Sequence, residues 1–136
     1  MSTSLSIFLF AGVLLRCVMF SNTIANTIEQ QKFNEYLLSL AAKCGMPYLR
    51  DINVAFPPCT VKCCLRKLNI LDAGNIYHPE ECVKFMKTFL QNPADEARIE
   101  KAVSNCPKVM FNKLSGCLKA KAVADCLMTH RILLGL

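Results

Sequence analysis

Nine cysteines are the residues of this 136-residue chain whose number and spacing carry the most chemistry. Thiols at this density indicate either disulfide bridges formed in an oxidising compartment or a metal site. Structural zinc sites use paired Cys-x2-Cys knuckles, and the sequence contains none and has only two histidines. We therefore expect disulfides and no metal, and nothing in the sequence calls for a cofactor.

The N-terminal residues favour secretion. Ser6–Leu15 is an apolar run of signal-peptide length, and a polar stretch with a small residue at its end follows it. A transmembrane anchor is the alternative, but the run is about half of the roughly 20 residues that a spanning helix needs, and Arg16 interrupts its extension. We expect residues 1–25 to be a signal peptide and 26–136 to be the extracellular domain. Removal of Cys17 then leaves eight cysteines, an even number that can pair completely.

The spacing of apolar residues predicts an all-α fold of five helices without a strand. We expect the first helix over Thr27–Cys44, with Gly45 as its stop. Proline fits the first turn of a helix. Further helices are therefore expected to begin at Pro57-Pro58, His78-Pro79 and Asn92-Pro93, and a fifth to run from about Gly116 to Leu133.

The positions of the cysteines restrict how they can pair. The eight are Cys44, Cys59, Cys63, Cys64, Cys82, Cys106, Cys117 and Cys126. Because Cys59 and Cys63 lie four apart on one helix, their sulfurs share a face and cannot bridge each other, so they must reach two different segments. Eight cysteines still allow 105 connectivities.

This spacing resembles that of the insect odorant-binding proteins of the pheromone-binding type. The similarity covers five cysteines, in the pattern Cys59-x3-Cys63, 42 residues to Cys106, ten to Cys117 and eight to Cys126. The stretch 63–72 also looks like the third helix and the following turn of that family. The first gap departs from the pattern, because only 14 residues separate Cys44 from Cys59, where the family usually has nearly twice as many.

The resemblance implies the bridges Cys44–Cys63, Cys59–Cys117 and Cys106–Cys126. It leaves over Cys64 and Cys82, which are additional to the family pattern, and we expect them to form a fourth bridge across the Asp72–Asn75 turn. Pairing of Cys44 with Cys64 remains an alternative.

The resemblance also implies a function: a secreted, non-enzymatic carrier whose helices surround an apolar cavity for odorants, pheromones or fatty-acid-like molecules. Large, adaptable apolar side chains suit such a cavity. The candidates are Met46, Phe56, Phe85, Met86, Phe89, Met110, Phe111, Leu114, Leu118 and Leu127. The alternative is that these residues simply fill a solid core. Residues 131–136, in the apolar tail after Cys126, are expected to pack against the mouth of the cavity as a wall or lid. The alternative is that the last helix continues and its leucines join the general core or a dimer contact.

A different function also remains open: a disulfide-rich salivary, venom or defence effector that acts through a basic surface. The net charge is +6, but no aromatic residues are interleaved with the lysines, so nucleic acid is not an expected partner. An apolar ligand is the expected partner, and stable membrane insertion is not expected. A receptor or a weak homodimer is left open.

Overall fold

The computed structural model describes residues 28–50 and 56–134 and confirms the all-α fold. Its helices are α1 (28–43), α2 (Pro58–Lys67), α3 (Pro79–Lys87), α4 (Glu96–Ser104) and α5 (Gly116–His130). Short 3-10 turns cover Pro93–Asp95, Lys108–Phe111 and Arg131–Leu134. Within the described ranges the extended structure is limited to one isolated bridge, between Leu71 and Tyr77. The signal peptide expected over 1–25 lies outside the described residues.

Glycine and proline set the ends of several helices. Helix α1 ends in a left-handed turn at Gly45, with φ of +95°, which glycine adopts at little cost. The amide of Met46 donates back to the carbonyl of Ala41 at 2.9 Å, which completes the hydrogen-bonding pattern of a Schellman cap. Helices α2 and α3 each begin with proline at the first helical position. These boundaries agree with the sequence prediction to within one residue.

A tight loop connects α2 to α3. The Asp72 carboxylate accepts hydrogen bonds from the amides of Gly74 at 2.8 Å and Ile76 at 3.0 Å. The amide of His78 donates to the carbonyl of Ile70 at 2.8 Å, next to the Leu71–Tyr77 bridge. The chain therefore turns back on itself before α3 begins.

Among helices α2 to α5, the main packing pairs are α2 with α5 and α3 with α4. Disulfide Cys59–Cys117 fastens α2 to the start of α5, and Cys44–Cys63 fastens the end of α1 to α2. Cys106–Cys126 joins the segment after α4 to α5. These are the three bridges that the resemblance implied.

The expected fourth bridge is absent: Cys64 and Cys82 are both buried free thiols. The expectation placed α2 and α3 side by side as antiparallel neighbours of the intervening turn. Instead, α2 has α5 as its main packing partner and α3 has α4, and the two thiols line the cavity described below.

The tail docks beside the core. The 3-10 turn Arg131–Leu134 packs against α4 and α5, and Leu134 is buried. Neither Arg131 nor Leu134 lines the cavity between α1, α2, α3 and α5 that is described below. For these two residues the lid prediction is wrong, because burial against α4 and α5 already covers Leu134. Residues 135–136 lie outside the described part of the chain.

Candidate functional site

A cavity of about 270 Å³ lies between α1, α2, α3 and α5. Its wall includes the segment just before α2, where Phe56 lies, and the start of the loop after α2, where Ile70 lies. The described lining residues are Phe33, Leu37, Phe56, Val61, Cys64, Leu65, Leu68, Ile70, Cys82, Phe85, Met86, Lys121, Ala124, Asp125, Leu127 and Met128. Fourteen of these sixteen are apolar residues or cysteines, so the cavity suits an apolar occupant.

Aromatic side chains hold the α1 wall to the α3 wall. The Phe33 and Phe85 rings lie 5.9 Å apart, and Phe89 packs edge-on against both, at 5.3 Å from Phe33 and 5.2 Å from Phe85. Tyr36 adds contacts of 5.6 and 5.7 Å to Phe85 and Phe89 from the solvent side. Tilted and edge-on pairs at these distances are favourable beyond the area they bury. This side of the cavity is therefore built around a cluster of tilted and edge-on rings.

Two free thiols, of Cys64 and Cys82, form part of the cavity wall. Burial raises the pKa of Cys82 to about 12. Burial also raises the pKa of Cys64, although a backbone hydrogen bond and the charge of Lys67 act in the opposite direction. Both groups are therefore protonated at neutral pH and behave as small apolar side chains rather than as nucleophiles.

Lys121 and Asp125 are the only charged side chains among the described lining residues. They lie one turn apart on α5, and Lys121 Nζ is 2.9 Å from Asp125 Oδ1. Their side chains are 34% and 62% exposed, so the pair sits where the cavity meets solvent.

Four of the ten candidate ligand contacts lie in the cavity wall: Phe56, Phe85, Met86 and Leu127. The remaining six lie elsewhere. Phe89 supports the wall through the aromatic cluster, and Phe111 is buried against Tyr77, with the rings 5.6 Å apart. Met46 is half-buried outside the lining. The last three, Met110, Leu114 and Leu118, are exposed.

Five of the twelve lining residues that were not among the candidates belong to apolar patterns that the sequence did show. Val61 and Leu65 lie on the apolar face of α2, Leu68 is the residue directly after that helix, and Phe33 and Leu37 lie on the apolar face of α1. Periodicity assigns such residues to the interior, but it does not tell a cavity wall from a solid core.

Cys106, Cys126 and His130 lie close enough together to suggest a metal site, but the two cysteines already form a disulfide. Ligand atoms of Cys106, Cys126 and His130 lie within 4.8 Å of one another. The two sulfurs are bonded to each other, and a disulfide does not supply the thiolates that a metal would need. The cluster therefore offers a single imidazole.

Comparison with known families decides the assignment. Residues 53–130 match the model of the PBP/GOBP family. The chain belongs to this family. The matched region starts after Cys44, in the part of the sequence where the first cysteine gap is shortened. No curated protein and no solved structure matches the chain.

Members of the PBP/GOBP family are binding proteins that carry small hydrophobic molecules. The cavity described above is compatible with that role, because its wall is predominantly apolar. In the part of the chain that the structure describes, no helix is long and apolar enough to cross a bilayer.

Proposed function

We propose that this protein is a secreted carrier that binds one small apolar molecule of odorant or pheromone type in the cavity between α1, α2, α3 and α5. The observation that carries the proposal is the apolar lining of that cavity. A basic-surface effector has no need for such a space. The carrier is therefore favoured over the effector.

The volume of the cavity sets the size of the ligand. A water molecule occupies about 30 Å³ in the liquid, and a methylene group is of similar size. A cavity of about 270 Å³ therefore holds about nine non-hydrogen atoms. Burying each methylene group contributes about 0.8 kcal/mol, part of which offsets the loss of ligand freedom on binding. The net binding free energy is therefore below about 7 kcal/mol, and we expect a dissociation constant on the order of tens of micromolar or weaker for a nine-carbon alcohol or aldehyde.

Secretion is part of the proposal. It is supported by the three disulfides, which persist in oxidising compartments, and by the apolar run at Ser6–Leu15. N-terminal sequencing of the protein recovered from the medium of expressing insect cells is expected to begin at or near Asn26. Retention of residues 1–25 on a membrane-bound product would contradict secretion.

Calorimetric titration with a series of straight-chain alcohols tests the carrier function. Affinity is expected to rise with each methylene group up to about nine carbons and then to level off, because the cavity is full. The change Ala124→Phe places a ring in the cavity wall, and we expect it to abolish binding of nonan-1-ol.

The control is Leu118→Phe, which adds the same ring at a side chain that is 68% exposed on the same helix and lies outside the cavity. It should bind nonan-1-ol like the unmodified protein. Both variants are checked for native helical content by circular dichroism. Undiminished binding to a correctly folded Ala124→Phe protein would place the site elsewhere. Absence of binding to the unmodified protein would rule out the carrier function for these ligands.

A further inference from the structure

We propose that the Lys121–Asp125 pair makes the cavity selective for neutral ligands that carry one hydroxyl or carbonyl group, and that Asp125 is the residue that rejects carboxylates. This inference rests on the proposed carrier function and names the ligand class of the same cavity. It comes from the position of a single ion pair in an otherwise uncharged wall.

The pair is the only feature of the described wall that can distinguish ligands by charge. Nζ of Lys121 and Oδ1 of Asp125 are 2.9 Å apart, and both residues line the cavity. The thiols of Cys64 and Cys82 are neutral at pH 7, because burial raises their pKa. The wall therefore presents one positive and one negative charge side by side, with no net charge.

An anionic head group gains little from this arrangement. A carboxylate near the pair is attracted by the Lys121 ammonium and repelled by the Asp125 carboxylate, which lies within hydrogen-bond distance of that ammonium. The two effects oppose each other over similar distances. To pair with Lys121, the anion would also have to displace Asp125 and give up part of its own hydration.

A neutral head group fits the pair better. A hydroxyl group can donate a hydrogen bond to the Asp125 carboxylate and accept one from the Lys121 ammonium, and a carbonyl oxygen can accept from Lys121. Neither head group has to break the ion pair, and neither carries a charge that must be desolvated. The expected ligands are therefore alcohols, aldehydes, ketones and esters of about nine non-hydrogen atoms.

Two further cations lie near the cavity without lining it: Lys67, whose charge acts on Cys64, and Arg131. The Arg131 guanidinium lies over the Phe33 ring, 5.9 Å from its centre. It borders a separate small space of about 10 Å³ together with Met86 and Leu127. Phe33, Met86 and Leu127 all line the ligand cavity. Arg131 therefore contacts residues of the cavity wall without facing the cavity itself.

The test compares two ligands of equal length, nonan-1-ol and nonanoate, by calorimetric titration at pH 7.5, where the acid is ionised. The unmodified protein is expected to bind nonan-1-ol at least tenfold more tightly than nonanoate. The isosteric change Asp125→Asn leaves Lys121 without its anion. We expect this variant to bind nonanoate at least fivefold more tightly and to lose most of the preference for nonan-1-ol.

The variant Glu96→Gln is the matched control, because it removes the ion pair between Lys87 and Glu96, neither of which lines the cavity. Its preference for nonan-1-ol should equal that of the unmodified protein. Equal binding of both ligands to the unmodified protein would overturn the selectivity, as would an unchanged preference in Asp125→Asn. Binding of neither ligand would instead overturn the carrier function, and the selectivity with it.

Discussion

At the residue scale, the reactivity of the two free thiols can be used to detect a ligand in the cavity, because both Cys64 and Cys82 line it and both are buried. The thiolate is the form of cysteine that reacts. With the pKa of Cys82 raised to about 12, that form is rare at neutral pH. These side chains therefore act as unreactive parts of the wall, and we expect a bound ligand to cover them further.

We expect thiol titration of the denatured, unreduced chain that begins at Asn26 to find two free thiols. In the native protein both should react slowly with a disulfide reagent such as Ellman's reagent, and saturating nonan-1-ol should slow them further. Cys64→Ala should leave one thiol with the same protection. Absence of free thiol in the denatured chain would mean that the fourth bridge forms after all.

A second residue-scale prediction concerns Tyr77, which is 2% exposed. Its hydroxyl oxygen is buried and has no hydrogen-bond partner among the described residues, while its ring packs edge-on against Phe111. An unpaired buried hydroxyl costs about 1–3 kcal/mol. Tyr77→Phe keeps the ring and removes the hydroxyl, so it should raise the free energy of unfolding by about 1 kcal/mol.

Guanidinium denaturation of the variant measures this change. Tyr36→Phe is the control, because Tyr36 is 44% exposed and its hydroxyl can bond to water. It should leave the stability within about 0.5 kcal/mol of the starting value. A Tyr77→Phe protein that is less stable by 1 kcal/mol or more would show that the hydroxyl has a partner.

At the element scale, the loop between α2 and α3 is held by a charged cluster at the start of α3. His78 Nε2 lies 2.9 Å from Asp72 Oδ2, and His78 Nδ1 lies 3.1 Å from Glu80 Oε1. Hydrogen bonding to Asp72, with a smaller contribution from Glu80, raises the pKa of His78. The hydrogen bond from His78, together with those from the Ile76 and Gly74 amides, lowers the pKa of Asp72.

These shifts predict how the stability of the loop depends on pH. The raised pKa of His78 gives a contribution that is complete below the ordinary pKa of about 6.5 and is lost as pH rises through the raised value. The lowered pKa of Asp72 gives a contribution that is complete above about 3.8 and is lost as pH falls through the lowered value. Both are therefore complete between about pH 4 and 6.5.

His78→Gln should accordingly lower the melting temperature more at pH 5.5 than at pH 8.5. Glu81→Gln is the control, since it removes an exposed pair with Lys84 on the same helix and does not involve His78. The account of the loop would be contradicted by a His78→Gln effect that is as large at pH 8.5 as at pH 5.5.

The bridge between α2 and α5 gives another prediction at this scale. Cys59 and Cys117 are separated by 58 positions, whereas Cys106 and Cys126 are separated by 20. Restriction of the unfolded chain grows with the length of the closed loop, so the model gives about 4 kcal/mol for the first bridge and about 3 kcal/mol for the second.

Replacing both members of each pair by alanine should therefore cost more for Cys59–Cys117, by about 1 kcal/mol in the free energy of unfolding. Chemical denaturation of the two double variants measures the difference. A larger loss from removing Cys106–Cys126 would show that native contacts, rather than loop length, decide the value of each bridge.

The helices could be predicted from the sequence because local residues determine them. Gly45, Pro58 and Pro79 set helix ends within a turn, and these effects do not need the rest of the fold. The pairing of the helices was harder, because it depends on which apolar faces meet. The expected Cys64–Cys82 bridge failed for this reason: it required α2 and α3 to pack as neighbours, whereas their main partners are α5 and α4.

At the scale of the whole molecule, three disulfides fasten a fold whose helices surround a cavity of about 270 Å³. The exposed candidates Met110, Leu114 and Leu118 show what periodicity misses, since apolar character alone does not tell the cavity wall from the outer surface. The cavity depends on distances between elements far apart in sequence. The complete set of residues that line the cavity therefore could not be predicted from the sequence and is known only from the three-dimensional structure.

The central claim is that a small apolar ligand occupies this cavity, and intermolecular nuclear Overhauser effects test it most directly. With isotope-labelled protein and unlabelled nonan-1-ol at one equivalent, we expect contacts from the ligand methylenes to Phe85, Met86 and Leu127, which line the cavity. Contacts confined to the exposed residues Met110 and Leu118, or no intermolecular contacts at saturation, would contradict the account.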